Sequence, residues 1–319
     1  MNKLKDFKLD VIFRKYGLFL IFLVIVIISS VASPFFFSRA NITNVIRTMT
    51  VVSIIAFGET LILILGMVDL SVGSVLALTG CVATGVMHST GSITLAVGSG
   101  LILGAFIGLI NGFVITRYRI PAFIMTLAMM TFARGVVLVY TNGMPIIDLG
   151  NFLVLGQGYL WIIPIPIIIM FIVMAVSWLL LNKTKFGRYL YAIGGNESAA
   201  VASGIKTNKV IILAFVFCGV LTSIGGIVLM SRINSGQPAA GQGYEFDAVT
   251  AAIVGATSLL GGTGNIPGTL IGALIIGIIN NVLTLLNVSL YYQMMVKGVI
   301  IAAAVILDVK TKAIKTKSV

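Results

Sequence analysis

Charge is what this sequence has least of. Only 9% of its 319 residues are Asp, Glu, Lys or Arg, while 59% are hydrophobic. A soluble domain carries roughly 25% charged and about 45–50% apolar residues. So few charges cannot cover a water-facing surface, which excludes a soluble globule; the mean hydropathy of +1.13 agrees. Histidine is nearly missing: His88 stands alone, so a His-based metal cluster is excluded. Cys81 and Cys218 lie in separate apolar segments with no CxxC spacing, and read as buried, inert thiols that leave the redox compartment open. The absence of GxSxG and HExxH motifs argues against membrane-embedded hydrolysis or metal catalysis. There is no P-loop either. Gly261-Gly262-Thr263-Gly264-Asn265-Ile266-Pro267-Gly268 comes nearest, but it lacks the lysine and opens an apolar helix.

Long apolar runs are what the chain does have. In lipid, a helix satisfies its backbone groups internally, whereas a barrel needs short stretches of alternating polarity. The runs here are continuous, so the expected fold is all-α and membrane-embedded, in a single domain spanning 1–319. The 35 glycines against 7 prolines suit helices that approach closely through small residues. A span takes about 20 apolar residues, and ten candidates fall near 16–33, 48–66, 70–88, 91–116, 120–140, 158–181, 210–230, 246–262, 266–286 and 289–307. The second and third are parted only by Val68-Asp69-Leu70, the eighth and ninth only by 261–265. At the N-terminus, Lys3, Lys5, Lys8, Arg14 and Lys15 precede an apolar run from Tyr16, and Ser30-Val31-Ala32 resembles a cleavage site. The run exceeds a signal-peptide core of about 7–15 residues, so an uncleaved first span is expected.

The net charge of +12 invites a nucleic-acid reading. The basic residues, however, are scattered in short loops, with no basic helix face or aromatic-basic platform, and that partner is set aside. Their distribution instead orients the chain, because short cytoplasmic loops are enriched in Lys and Arg. With the N-terminus inside, sixteen of the 21 basic residues fall inside and three, Arg39, Arg47 and Arg232, outside, while Arg134 and Lys297 lie within spans. Both termini are therefore expected in the cytoplasm of a cell with this protein in its inner membrane, with basic tails at 1–15 and 308–319. The halves also echo each other. Asp69 and Thr79 match Asp247 and Thr257; Leu103-Gly104-Ala105 matches Ile271-Gly272-Ala273; Arg134-Gly135-Val136-Val137 matches Lys297-Gly298-Val299-Ile300. On this topology the repeats, about 48–140 and about 210–307, run in opposite directions, an arrangement that builds two exchangeable gates around a midplane site.

Ionisable groups inside spans are functional candidates, since a charge in hydrocarbon costs at least about 2.5–3.5 kcal/mol. Glu59, Asp69, Arg134 and Lys297 qualify, either as gating groups or as pairs that lock helices together. A proton-coupled carrier would show more buried carboxylates or a histidine relay. The segment 182–209 differs in kind. After basic Asn182-Lys183-Thr184-Lys185-Phe186-Gly187-Arg188 comes a short stretch, 196–204, that reads as a helix capped by Asn196 and Gly204, with Glu197 at its positive end. It is too short to span and is placed to dock a soluble partner; an ordinary connecting loop is the plain alternative.

Ala192-Ile193-Gly194-Gly195-Asn196-Glu197 resembles the coupling helix of ribose-type ABC permeases, the family that also imports xylose, arabinose and galactose. The resemblance covers nearly the whole chain. It includes Gly66-Met67-Val68-Asp69-Leu70-Ser71-Val72-Gly73-Ser74, Tyr140-Thr141-Asn142-Gly143, and Gln237-Pro238-Ala239-Ala240-Gly241-Gln242-Gly243-Tyr244-Glu245-Phe246-Asp247-Ala248. Gly268-Thr269-Leu270-Ile271-Gly272-Ala273, Asn280-Asn281 and Tyr291-Tyr292-Gln293 complete it. One departure is Thr263, where many members carry a basic residue. The resemblance implies an ABC importer permease fold that works as a homodimer of two copies in membrane lipid. It implies a cytoplasmic ATPase that binds ATP and Mg, an extracytoplasmic sugar-binding protein, and no cofactor in this chain. Gly194, Gly195, Asn196, Glu197, Ala200, Ser203 and Gly204 would then face the ATPase. The binding protein would dock on the loops at 34–47, 141–157 and 231–247, with Gln237, Tyr244, Glu245 and Asp247 as candidates. A neutral sugar needs hydroxyl-matching side chains along its path, and Asn111, Thr126, Asn280, Asn281 and Tyr292 are candidates. A stand-alone secondary carrier, and an ABC permease for a nucleoside or furanose-like signal, stay open as alternatives.

Overall fold

The computed structural model describes residues 2–317, with side chains over 17–310. The basic tail at 1–15 and residues 311–319 of the other tail therefore lie outside the described side chains. In chain order the helices are α1 (Asn2–Ala32), α2 (Arg39–Ile64), α3 (Val72–Thr90), α4 (Ile93–Tyr118) and α5 (Ala122–Thr141). A 3-10 turn (Gly150–Leu153), α6 (Val154–Gln157) and a two-stranded hairpin, β1 (Tyr159–Leu160) and β2 (Ile163–Pro164), follow. Then come α7 (Ile165–Lys183), α8 (Lys185–Gly195), α9 (Glu197–Ala202), α10 (Thr207–Ile233), α11 (Tyr244–Val254), α12 (Ile266–Leu285) and α13 (Leu290–Lys317). The expected all-α membrane fold is what forms.

Among the described residues, eight helices are long and apolar enough to cross a membrane: α2, α3, α4, α5, α7, α10, α12 and α13. The apolar part of α1, Gly17–Ala32, is shorter. One of the ten expected spans is corrected. The segment 246–262 is not a continuous helix, because α11 stops at Val254 after 11 residues. Beyond it Ala256, Gly261 and Gly262 take positive φ, at 67°, 79° and 76°, a left-handed backbone no helix can continue through. The junction after α2 is also wider than the expected three residues, running over 65–71 with Gly66 at φ 75°.

Two helices form the centre. All sixteen residues of α2 from Met49 to Ile64 are buried, as a helix apolar on every side should be. The other, α10, packs along α4 through Gly104, Gly108 and Gly112, one helical turn apart. A Cβ at any of them would strike the backbone of α10 at Gly219, Phe215 or Ile212; this is the small-residue spacing that lets membrane helices touch backbone to backbone. The packing has a reciprocal form. As α10 lies on α3 and α4, so α2 lies on α11 and α12, and as α3 lies on α4 and α5, so α11 lies on α12 and α13. By contrast α13 is almost wholly exposed along its apolar length.

Both α3 and α11 start inside the bundle. Ser71, just before α3, meets Asn111, about two turns short of the end of α4. The segment 234–243 enters from the opposite end, pairing Gly236 with Ile146 and bringing Gly241 against Gly73 and Leu76. The first turns of the two interrupted helices meet there, with Glu245 beside Gly73. Broken helices of this kind are tolerated in a membrane only where protein or a cavity surrounds the exposed backbone.

Candidate gating and coupling site

The break before α3 is held by uncharged donors around two acids. Glu59, fully buried on α2, accepts at Oε1 from the Asp69 backbone N–H at 3.0 Å. Asp69 in turn accepts at Oδ1 from the Ser71 N–H at 2.8 Å and from its hydroxyl. Asn111 Nδ2 donates to Ser71 Oγ at 3.2 Å, and Thr126 Oγ1 accepts from the Leu70 N–H at 3.1 Å. Glu59 Oε2 and Asn111 Oδ1 are buried without a partner. Two expectations change here. Neither Glu59 nor Asp69 pairs with Arg134 or Lys297, and Asn111 and Thr126 serve this acid network instead of lining a separate path. Their reach was not legible from spacing, because 65–71 bends back between helices distant in sequence.

The second break is organised by charge. Lys297 on α13 pairs with Asp247 on α11 at 2.8 Å, the one ion pair among the described residues. Arg134 Nη1 donates to Pro238 O and, at 2.9 Å, to Ala240 O, fastening the entering segment to α5. Glu245 Oε1 accepts from the Gly243 N–H at 3.1 Å and so occupies one free donor at the start of α11. Glu245 and Asp247 are both only 7% exposed, Gln237 and Tyr244 are partly buried, and none of the acids presents itself to a soluble partner. Their carboxylates are spent inside the bundle, so the expected outward docking role does not fit their placement.

The remaining residues proposed for a sugar path are scattered. Asn281 exchanges two amide hydrogen bonds with Asn41 of α2, at 3.0 and 2.8 Å. Asn280 borders a gap of about 10 Å³ beside Asp247 and Lys297, room for a water and no more. Tyr292 is 64% exposed at the start of α13. The five do not converge within this chain.

At the other end of α2 lies the coupling region. The expected cap is present, with Asn196 Oδ1 accepting from the Ala199 N–H at 3.0 Å, and Gly204 turns left-handed at φ 81° just past Ser203. Glu197, Ser198 and Val201 face a cleft of about 810 Å³ shared with 66–68, 119–123 and the start of α10. Ala200 instead points inward, 3% exposed, and Gly195 and Ser203 are exposed. The helix that sequence reading missed is α8. Its buried Gly187, Leu190 and Ile193 recur every third residue, a one-faced pattern that could have revealed it. Gly194 on α8 lies against the Ile64 carbonyl and 2.7 Å from Gly262 N by the position a Cβ would take. Tyr191 Oη donates to Gly264 O at 2.7 Å, and burial pushes its phenol above the ordinary range. The break before α3 and the turn after α11 also touch directly, through the Gly262 N–H donating to Ile64 O at 2.8 Å.

A bundle of long apolar helices with two interrupted ones in its core, and an amphipathic pair seated on the ends of the interruptions, is the architecture of a transport permease. The chain belongs to the family described as branched-chain amino acid transport system / permease component, which matches residues 41–305. The ribose import permease of Haemophilus influenzae is 43% identical over 312 residues, 96% of this chain and 97% of that protein. That of Bacillus subtilis is 46% identical over 312 residues, 97% of each chain. The L-arabinose transport system permease of Escherichia coli is 38% identical over 313 residues, 98% of this chain and 95% of its own. The resemblance drawn from the motifs is thereby borne out. No solved structure matches the chain.

Proposed function

We propose that the chain is the membrane subunit of an ATP-driven importer of a monosaccharide, ribose or a close relative, working as two copies with a cytoplasmic ATPase and an external sugar-binding protein. ATP and Mg are held by the ATPase, and both termini of the permease lie in the cytoplasm of a bacterium, below its inner membrane. One observation carries this reading: α8, followed directly by the capped helix α9, is fastened at once to the break before α3, at 64–66 through Gly194, and to the turn that ends α11, at 262–264 through Gly194 and Tyr191. A push on α8 and α9 therefore reaches α3 and α11 together. The reciprocal packing supports taking α2–α5 and α10–α13 as two inverted halves whose interrupted helices gate the path. Because the polar sugar-path candidates of one protomer are scattered, the path is completed between two copies. The family description names branched-chain amino acids, whereas the similar proteins are named for ribose and L-arabinose; it is on those names that a sugar is preferred here.

Reconstitution tests this. In proteoliposomes, labelled ribose uptake is expected to require ATP, the ATPase and the binding protein together, and to survive collapse of the proton gradient. Leucine in excess should not compete. Gradient-driven exchange by the permease alone would overturn the reading. A cysteine at Lys185 should be shielded from an impermeant thiol reagent in intact cells, and one at Gln237, where the segment enters, labelled; the reverse pattern would invert the topology.

A further inference from the structure

The end of the bundle opposite α8 carries an unneutralised arginine recess. Arg39, Arg47 and Arg232, the three cations that the charge distribution assigned to the outer side, come together around one opening of about 870 Å³. No Asp or Glu lines it. Two of the three are already ordered. Arg47 donates to Gln157 O at 2.9 Å and lies 4.9 Å over the Tyr159 ring, while Arg232 Nη1 donates to Thr48 Oγ1 at 2.7 Å. Gln157 Nε2 closes the set on Arg232 O at 3.0 Å. Arg47 Nε is buried with no partner at all. Beside the recess the hairpin presents Trp161 and Ile162, 94% and 86% exposed.

We propose that this recess is where the external binding protein docks, its surface carboxylates entering between the arginines while Trp161 lies under an apolar rim of the same partner. This rests on the importer reading above and names the residues of its outer contact. Like charges crowded together cost free energy unless an anion answers them, and guanidiniums fixed by neutral groups keep their full charge and their remaining N–H donors for carboxylate. Arginine and tryptophan side by side are the composition of protein-interface hot spots. Three guanidiniums ask for several carboxylates, which an acidic protein face supplies and a single lipid phosphate does not. The position is also mechanically apt. Arg47 lies on α2, whose far end at Ile64 meets α8, so one buried helix joins the outer contact to the inner one.

The test uses the complete transporter in nanodiscs of neutral lipid and the cell's own ribose-binding protein. Binding is read by interferometry, and stimulation of ATP hydrolysis is read separately. Arg39→Glu combined with Arg232→Glu is expected to raise the half-saturating concentration of binding protein at least about tenfold, Arg39→Lys to change it little, and added salt to weaken the wild type in the same direction. Retained ATPase in the purified complex shows that the variant is assembled. If a charge-reversed complex cannot be purified, Arg39→Gln, at an exposed position, reads the same shift on a smaller scale. Unaltered half-saturation in the variants would overturn the surface, as would a defect seen only when anionic lipid is added, which marks a headgroup site. Binding without any stimulation in the wild type would sink the importer reading and leave the docking surface standing.

Discussion

The two interrupted helices bury their acids by opposite means. Around Asp69 the chain uses a backbone N–H, a hydroxyl and an amide, with no lysine or arginine paired to it among the described residues; around Asp247 it uses one ammonium, delivered by α13. The first arrangement joins the buried α2 to α4 and α5. The second ties the nearly bare α13 to α11, with a second clip where Asp308 accepts from Ser258 Oγ and the Leu259 N–H at 3.1 and 2.9 Å. A network of several hydrogen bonds resists opening bond by bond, whereas an ion pair is made or lost as a unit. The comparison teaches that one break is built as an anchor and the other as a joint.

Removing one member of the joint should have the largest effect. Lys297→Met strands the Asp247 carboxylate and is expected to destabilise the folded permease by about 3 kcal/mol, read as a fall in thermal midpoint in detergent. Lys297→Met with Asp247→Asn should recover most of that loss while transport stays impaired. Equal losses for the single and double variants would show that the pair is not a unit. Next comes the seat shared by the break before α3 and the turn after α11. Gly194→Val drives a side chain into the Ile64 and Gly262 backbone and should cost about 1–3 kcal/mol, with ATP hydrolysis uncoupled from uptake in the reconstituted importer. Normal coupling in this variant would separate α8 from the ends of α2 and α11. Smaller again is Tyr191→Phe, which removes the bond to Gly264 and should cost about 1 kcal/mol, weakening transport more than stability. Smallest is Glu59→Gln, which keeps an acceptor for the Asp69 N–H and should shift stability by less than about 1 kcal/mol. A collapse on Glu59→Gln would mean that the anchor depends on charge after all.

Much of the architecture was legible because lipid writes it in composition. Nine of the ten apolar runs correspond to helices, and the tenth fails where Gly255, Gly261, Gly262 and Gly264 interrupt it. The cap at Asn196 was readable because capping is local chemistry. The site was less so. Thr126 and Asn111 meet 65–71 only through tertiary folding, and Asp247 looked external because a long helix was expected to begin there, whereas 234–243 carries it inward first. The Asp69/Thr79 and Asp247/Thr257 match does not mark equivalent places: Thr79 lies within α3, Thr257 beyond the end of α11. Tyr191 carried no motif of its own.

One peripheral contact bears on how the chain is made. Among the described elements α1 has its substantial packing on α12 alone, through Phe22, Ile25 and Val26 beside Leu274 and Ile278. An early helix thus leaves the ribosome long before its neighbour, which is made about 240 residues later. At about 5–20 residues per second the wait lasts on the order of tens of seconds. Through that interval lipid is its companion, and exposed Phe19, Ile21, Val24, Ile27 and Ile28 make α1 content to remain there. The newborn permease therefore carries an unclaimed groove on α12 until α1 diffuses back, and insertion order, more than stability, decides when the bundle closes.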